Sequence, residues 1–277
     1  MKQLLKVLIG ACCAAGLVAS APAAIVTQWT ATTAAVFNAA TFTATGDTST
    51  APLLLTWGDP DTANRSSLAL TNPSPGLTVH TFVGGGSPPP AFIVAGSTVT
   101  HTNHPIGGNT LTGATIRDTL TLAAVAPPGP GPGALPPIDF NIAFTETPNV
   151  TPCAVVTSPT PCNDIFVLLG GFFNQTFVYD SDGAGSDAPV TYFVNIFPTS
   201  GGVLSILDDA TCAAVHAANP AAPATGCFGF TTPEDAATTL AFGFTVSTAP
   251  LSVPEPGTVA LVALALFGLV GLRRRAG

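Results

Sequence analysis

The chain has 277 residues, 47% of them apolar and 8% charged, with a formal net charge of −8. Residues 24 to 250 hold fourteen acids against two arginines and no lysine, a net charge of −12. Such a body repels phosphate backbones and lacks the cationic contacts that nucleic-acid affinity needs, is too apolar for a disordered chain, and excludes lysine-based catalysis.

The first element is a leader. Lys2 and Lys6 precede an apolar run from Val7 to Val18, and Ala21-Pro22-Ala23 supplies small residues at a cleavage site, which predicts a secretory signal peptide over residues 1–23. Proline directly after the scissile bond fits a peptidase poorly, so the bond after Ala23 is preferred to the one after Ala21. Cys12 and Cys13 are then discarded with the leader.

From residue 24 the dominant period is two. Ile138, Phe140, Ile142 and Phe144 alternate with Asp139, Asn141 and Ala143, and Leu240, Phe242, Phe244 and Val246 alternate with Ala241, Gly243 and Thr245. Shorter runs at 25–29, 36–43, 52–57, 66–71, 77–83, 91–101, 113–123, 164–169, 175–180, 190–197 and 204–207 are separated by Gly, Pro, Asn and Asp. The expectation is an all-β ectodomain over 24–250, an antiparallel β-sandwich with one wetted and one buried face per sheet. Only 208–218 reads as a short helix, with Asp208 or Asp209 at its N-terminus.

Two stretches interrupt the strands: "GGGSPPP" at 84–90 and "APPGPGPGALPP" at 126–137. Proline removes ladder donors and glycine raises the entropy of ordering, so both are loops. The second reads either as a long exposed loop of one domain or as a linker between two β modules.

Between these loops lies Thr100-His101-Thr102-Asn103-His104-Pro105, the densest polar cluster of the body. Residues 101 and 104 face opposite sides of a strand, so the two imidazoles chelate one ion only if the chain turns between them. Hydrogen bonding of a strand end to the turn that follows is the simpler reading. The body contains no His-Glu-x-x-His helix, no Gly-x-Ser-x-Gly elbow and no phosphate loop.

Four cysteines remain in an exported chain: Cys153, Cys162, Cys212 and Cys227. Of the three ways to pair them, the sequential one closes the shortest loops, so Cys153 with Cys162 and Cys212 with Cys227 is expected. A zinc site is the alternative, but the spacings lack the close pairs of a zinc knuckle. Further on, "YDSDGAGSDAP" places Asp180, Asp182 and Asp187 around a glycine-rich turn. Alternating oxygen ligands on such a turn suit calcium, although Asp187 comes too early to close an EF-hand loop. A plain hairpin between Phe177 and Thr191 explains the same residues.

The chain ends in "VPEPGTVALVALALFGLVGLRRRAG". Gly257 to Leu272 is uncharged and would reach about 24 Å as a helix, a little short of the roughly 30 Å hydrocarbon core. Arg273, Arg274 and Arg275 would stay cytoplasmic and leave the body outside the inner membrane. Val253-Pro254-Glu255-Pro256, then a short span over 257–272, then this basic cluster at 273–275, resembles the PEP-CTERM sorting signal of Gram-negative bacteria, so residues 251–277 form a sorting tail. The resemblance implies a transmembrane helix held transiently in the inner membrane, removal by an exosortase, and a final place at the cell surface or in the extracellular matrix.

"VTHTNHPI" contains Thr100-His101-x-Asn103 and, together with that tail, resembles the THxN family of PEP-CTERM proteins; "FTETPN", "PCNDIFVL" and "CFGFTTPED" resemble further blocks of it. These blocks lie on both sides of 126–137, which implies one unit. The resemblance supplies no catalytic residues. The expected function is therefore that of a non-enzymatic surface or matrix protein, associated with exopolysaccharide or biofilm, whose processing partners are signal peptidase and exosortase. The alternative is a calcium-dependent carbohydrate-binding or adhesion module, for which Trp29, Trp57, Tyr179 and Tyr192 are the available stacking rings.

Overall fold

The computed structural model describes residues 24–44, 46, 48–59, 64–155, 158, 161–170, 174–181, 188–201 and 203–251. Its strands are, in chain order, β1 (Gln28–Phe42), β2 (Ser49–Ala51), β3 (Leu54–Trp57), β4 (Ser66–Thr71), β5 (Leu77–Phe82), β6 (Val94–Asn103), β7 (Leu111–Ala126), β8 (Gly133–Ala134) and β9 (Ile138–Thr145). There follow β10 (Asp164–Leu169), β11 (Gln175–Tyr179), β12 (Val190–Pro198), β13 (Ser205–Ile206), the helix α1 (Asp209–Ala218), β14 (Phe228–Thr232) and β15 (Ala236–Ser247). The fold is all-β. The helix lies where the sequence puts it, with the Asp208 side chain accepting from Thr211 N at its N-terminus.

Hydrogen bonding connects the strands into one sheet in the order β13-β14-β10-β9-β7-β1-β5-β15-β6-β4-β3-β2, with β11 and β12 attached through β15. This sheet folds over at β5, whose first residues pair with β1 and whose last two pair with β15. The β5–β15 contact is parallel, a departure from the all-antiparallel expectation. The fold-over makes two leaves whose inner faces meet: Trp57 of one leaf packs edge-on against Phe144 of the other, and Phe242 stacks on Phe140. Strands from before and after 126–137 pair within each leaf, as β7 with β9 and β6 with β15 do, so neither half of the chain closes its leaf without the other.

The period-two runs set which side chains meet in the core. In β1 the inward set includes Trp29 and Ala31, and Trp29 is ringed edge-on by Phe177, Tyr179 and Tyr192. Both tyrosine hydroxyls find backbone partners: Val26 N donates to Tyr192 and Gly131 N to Tyr179. The second of these ties the Pro/Gly-rich loop to the body. Gly131 has φ +74°, and a Cβ there would meet Leu122 O at 2.5 Å, so glycine is required where the loop folds back on β7.

β10 is buried on both faces, which explains its unbroken apolar run rather than an alternating one. Phe166 and Leu168 face the core between the leaves, while Ile165 and Val167 join a second cluster under α1 with Val215 and Cys212. The disulfide Cys212–Cys227 fastens α1 to the residue before β14, and Cys153–Cys162 closes the connection from β9 to β10. The sequential pairing expected from the spacing is the one present.

Candidate functional site

Three of the acids come together at one end of the fold. Glu146 follows the last residue of β9, Asp164 opens β10, and Glu234 sits in the turn between β14 and β15. Because β10 pairs with both β9 and β14, with Ile165 opposite Thr145 and Asp164 opposite Thr232, these positions are neighbours although far apart in sequence. One oxygen from each carboxylate lies within 4.8 Å of the others. The turn carrying Glu234 is also where the chain crosses from one leaf to the other, since β14 pairs with β10 and β15 with β6.

Each carboxylate is oriented by a donor. Trp57 Nε1 donates to Glu146 Oε2 at 3.0 Å, Thr147 N to Asp164 Oδ1 at 2.9 Å, and Asn149 Nδ2 to Glu234 Oε1 at 2.6 Å. Asn149 is itself fixed, because its Oδ1 accepts from Cys162 N at 2.7 Å inside the disulfide-closed connection. Among the described residues, Asp164 Oδ2 and Glu234 Oε2 are buried without an N–H or hydroxyl donor, while the Asp164 and Glu146 carboxyls are close enough to share a proton as a hydrogen bond. Asp164 is 0% exposed.

Burial decides the protonation of this group. Removal from water raises Asp164 to about 10, reinforced by the charge of Glu146, and raises Glu146 to about 7. Asp164 is the deeper of the pair and retains its proton longest, because two other carboxylates face it. Glu234, nearer the surface, is raised by desolvation, against the lowering contribution of its bond from Asn149.

The Thr-His-x-Asn residues brace the same end from the opposite leaf. His101 and Asn103 point inward and are 1% and 0% exposed, whereas the outward Thr100 shares a hydroxyl hydrogen bond with Thr239 on β15. The His101 ring stacks on Trp57 with centroids 5.8 Å apart and meets Phe144 edge-on. Burial lowers its pKa to about 3, so it is a neutral core imidazole. Asn103 Nδ2 donates to Thr232 O, joining the leaves directly. His104 lies at the rim, 3.1 Å from Asp235, which occupies the left-handed region at φ 56° beside Glu234. The two histidines therefore do not share a ligand; His101 is a packing residue and His104 a surface partner.

Of the acids in the glycine-rich turn, Asp180 directly follows β11, and β11 and β12 form the hairpin with Val178 opposite Thr191. Asp182 and Asp187 lie outside the described residues, as do the leader and the tail residues Val253, Pro254, Glu255, Pro256, Arg273, Arg274 and Arg275. No helix among the described residues is long and apolar enough to cross a membrane.

Residues 252–275 match the PEP-CTERM protein-sorting motif. No curated protein and no solved structure matches the chain. The motif implies processing by an exosortase and an exported protein of a Gram-negative bacterium.

Proposed function

We propose that the protein is a non-enzymatic component of the cell surface or extracellular matrix, exported through its leader and released from the inner membrane when an exosortase removes residues following the Pro254-Glu255-Pro256 motif. The observation that carries this reading is the sorting motif over 252–275. The placement of the Thr-His-x-Asn residues supports it, since His101 and Asn103 are packed between the leaves and hold the fold together. A carbohydrate-binding module would present aromatic faces to a sugar, but both tryptophans and both tyrosines are buried. A matrix role accords with an acidic, disulfide-closed body that self-repels and stays soluble outside the cell.

The test is the intact mass of the extracellular protein in a host that carries an exosortase. The expected species begins at Ala24 and lacks Leu261 to Arg275, and replacing Pro254, Glu255 and Pro256 by alanine leaves the tail attached and the protein at the membrane. A secreted species that still contains the tail, or a triple variant processed like the parent, overturns the reading.

A further inference from the structure

We propose that Glu146, Asp164 and Glu234 form a calcium site that clamps the two leaves together at the end braced by Trp57, His101 and Asn103. The geometry suits that ion. Calcium takes oxygen ligands at about 2.4 Å, so ligands on opposite sides of it are about 4.8 Å apart, and the three carboxylates each supply an oxygen within 4.8 Å of the others. All three donors are hard oxygens. The four cysteines of the body are in disulfides, and neither histidine of the Thr-His-x-Asn-His stretch is part of the group, which favours calcium over zinc or copper.

Acids gather on protein surfaces without any ion, but this cluster carries a second, independent feature. Asp164 is wholly buried, and its Oδ2 has no N–H or hydroxyl donor among the described residues, the nearest substitute being a proton shared with the Glu146 carboxyl; Glu234 Oε2 is likewise buried without a donor. Meanwhile the other oxygen of each of these carboxylates is held, by Thr147 N and by Asn149 Nδ2. Glu146 is held in turn by the Trp57 indole. One oxygen tied to an outer donor and the other turned inward is the arrangement by which proteins aim carboxylates at a metal. Buried carboxylate oxygens close to one another need a cation or a proton between them, and three hard oxygens at this spacing suit calcium as that cation. Glu146 and Asp164 belong to strand ends of one leaf, and Glu234 to the crossover into the other, so an ion here ties β9, β10 and the β14–β15 turn into one unit. A divalent ion would take the place of the protons these acids otherwise hold, releasing them to solvent and offsetting the like charges the carboxylates then carry.

This site is distinct from the glycine-rich turn of Asp180, Asp182 and Asp187, and it does not depend on the sorting reading. The experiment uses the exported protein, stripped with a chelator and held at about 0.15 M salt so that diffuse attraction to the acidic surface is screened. Terbium, which replaces calcium at oxygen sites, is added, and its emission is excited through tryptophan; calcium and magnesium are then titrated as competitors, and calcium binding is measured separately by calorimetry. Because the Trp57 indole is bonded to Glu146, terbium in the site is sensitised directly.

The expected result is a single saturable site, displaced by calcium with a Kd of about 10⁻⁴ M or tighter and by magnesium far less well. Asp164→Asn and Glu234→Gln each weaken it by roughly ten- to hundredfold or more. Asp139→Asn, which removes the same charge from the exposed pair with Arg117, leaves it unchanged. Asp164→Asn preserves size and Oδ1, and Glu234 is close to the surface, so a folding defect in one variant leaves the other to decide. Absence of saturable binding, equal weakening by Asp139→Asn, or loss in Asp182→Asn with retention in Glu234→Gln overturns the proposal.

Discussion

The buried acids make the calcium-free protein sensitive to alkali, and the effect can be sized. In the fold, Asp164 is raised to about 10 by desolvation and then by the charge of Glu146; in the unfolded chain it ionises near 4. The native state therefore holds a proton that the unfolded state has lost, and stability falls as pH rises wherever the native state binds more protons. One retained proton corresponds to about 1.4 kcal/mol per pH unit, so raising the pH from about 7 to about 8.5 costs about 2 kcal/mol.

The slope across that window belongs mainly to Asp164: Glu146, raised to about 7, gives up the rest of its own proton at the foot of the window and adds a smaller contribution there. His101 has its folded value lowered to about 3, so it is neutral in the native state, and above pH 7 it is largely neutral in the unfolded state as well. Asp139 and Asp208, both lowered by hydrogen bonds, are ionised in either state. Tyr192 is raised from an already high value and stays protonated. Thermal unfolding in chelator should show Tm falling by roughly 4–8 °C across the window, with a much shallower fall in Asp164→Asn, whose amide keeps the Thr147 bond and carries no titrating proton. A flat or rising Tm in the parent, or the same slope in Asp164→Asn, would refute the account of a neutral buried acid.

Two further outcomes are expected. Replacing both Cys212 and Cys227 by alanine opens the loop that secures α1 over Ile165 and Val167, and should lower stability by about 3 kcal/mol, read as a fall in the midpoint of urea unfolding. His101→Phe keeps an aromatic ring against Trp57 and Phe144 while removing a group whose native pKa is depressed. The parent loses stability as pH falls from about 6.5 toward about 3, at up to about 1.4 kcal/mol per unit from this residue alone, and the variant should lose that much less in the same acid melts.

Strands were legible where large apolar side chains recur at every second residue, whether the other face is wet, as at Asp139 and Asn141, or filled by small residues, as at Gly243 and Thr245. The alternation of Ile138 to Phe144 and of Leu240 to Val246 corresponds to β9 and β15, and the even cysteines pair as their spacing suggests. What period two could not supply is the connection between leaves: β5 serves both, and its parallel contact with β15 joins residues 81 and 246, a pairing that no local pattern encodes. The 52–57 run shortens to β3, with β2 lying just before it, and the 25–29 and 36–43 runs merge into the single strand β1, because strand ends depend on partners and not on propensity. The carboxylate group was hidden for a related reason. "FTETPN", "PCNDIFVL" and "CFGFTTPED" each contain one of its acids, but a calcium loop is recognisable in sequence only when its ligands are close together. Here the closeness arises from sheet order, whereas Asp180, Asp182 and Asp187 are close in sequence and so have the outward form of a calcium loop.

The position of the Thr-His-x-Asn stretch explains why residues of chemical appearance are placed in an interior. In β6 the strand period turns His101 and Asn103 inward and Thr100 outward, so the three cannot act on one substrate from one face. The inward pair instead does two mechanical things: His101 backs the Trp57 ring whose indole holds Glu146, and Asn103 grips Thr232, two residues before Glu234. Ser66 adds a third tie, accepting from His104 N and donating to His104 O, which fixes the chain as it leaves β6 beside the same turn. The motif thus acts on the acids through their supports, one by packing and one by a hydrogen bond across the leaves. Asn103 is held by its hydrogen bond to Thr232 O, whereas His101, whose Nε2 is buried without a partner among the described residues, is held by ring packing alone. It follows that His101, Asn103 and the three carboxylates are one structural unit, in which the first two set the positions of the acids, while Thr100 serves the outer face through Thr239.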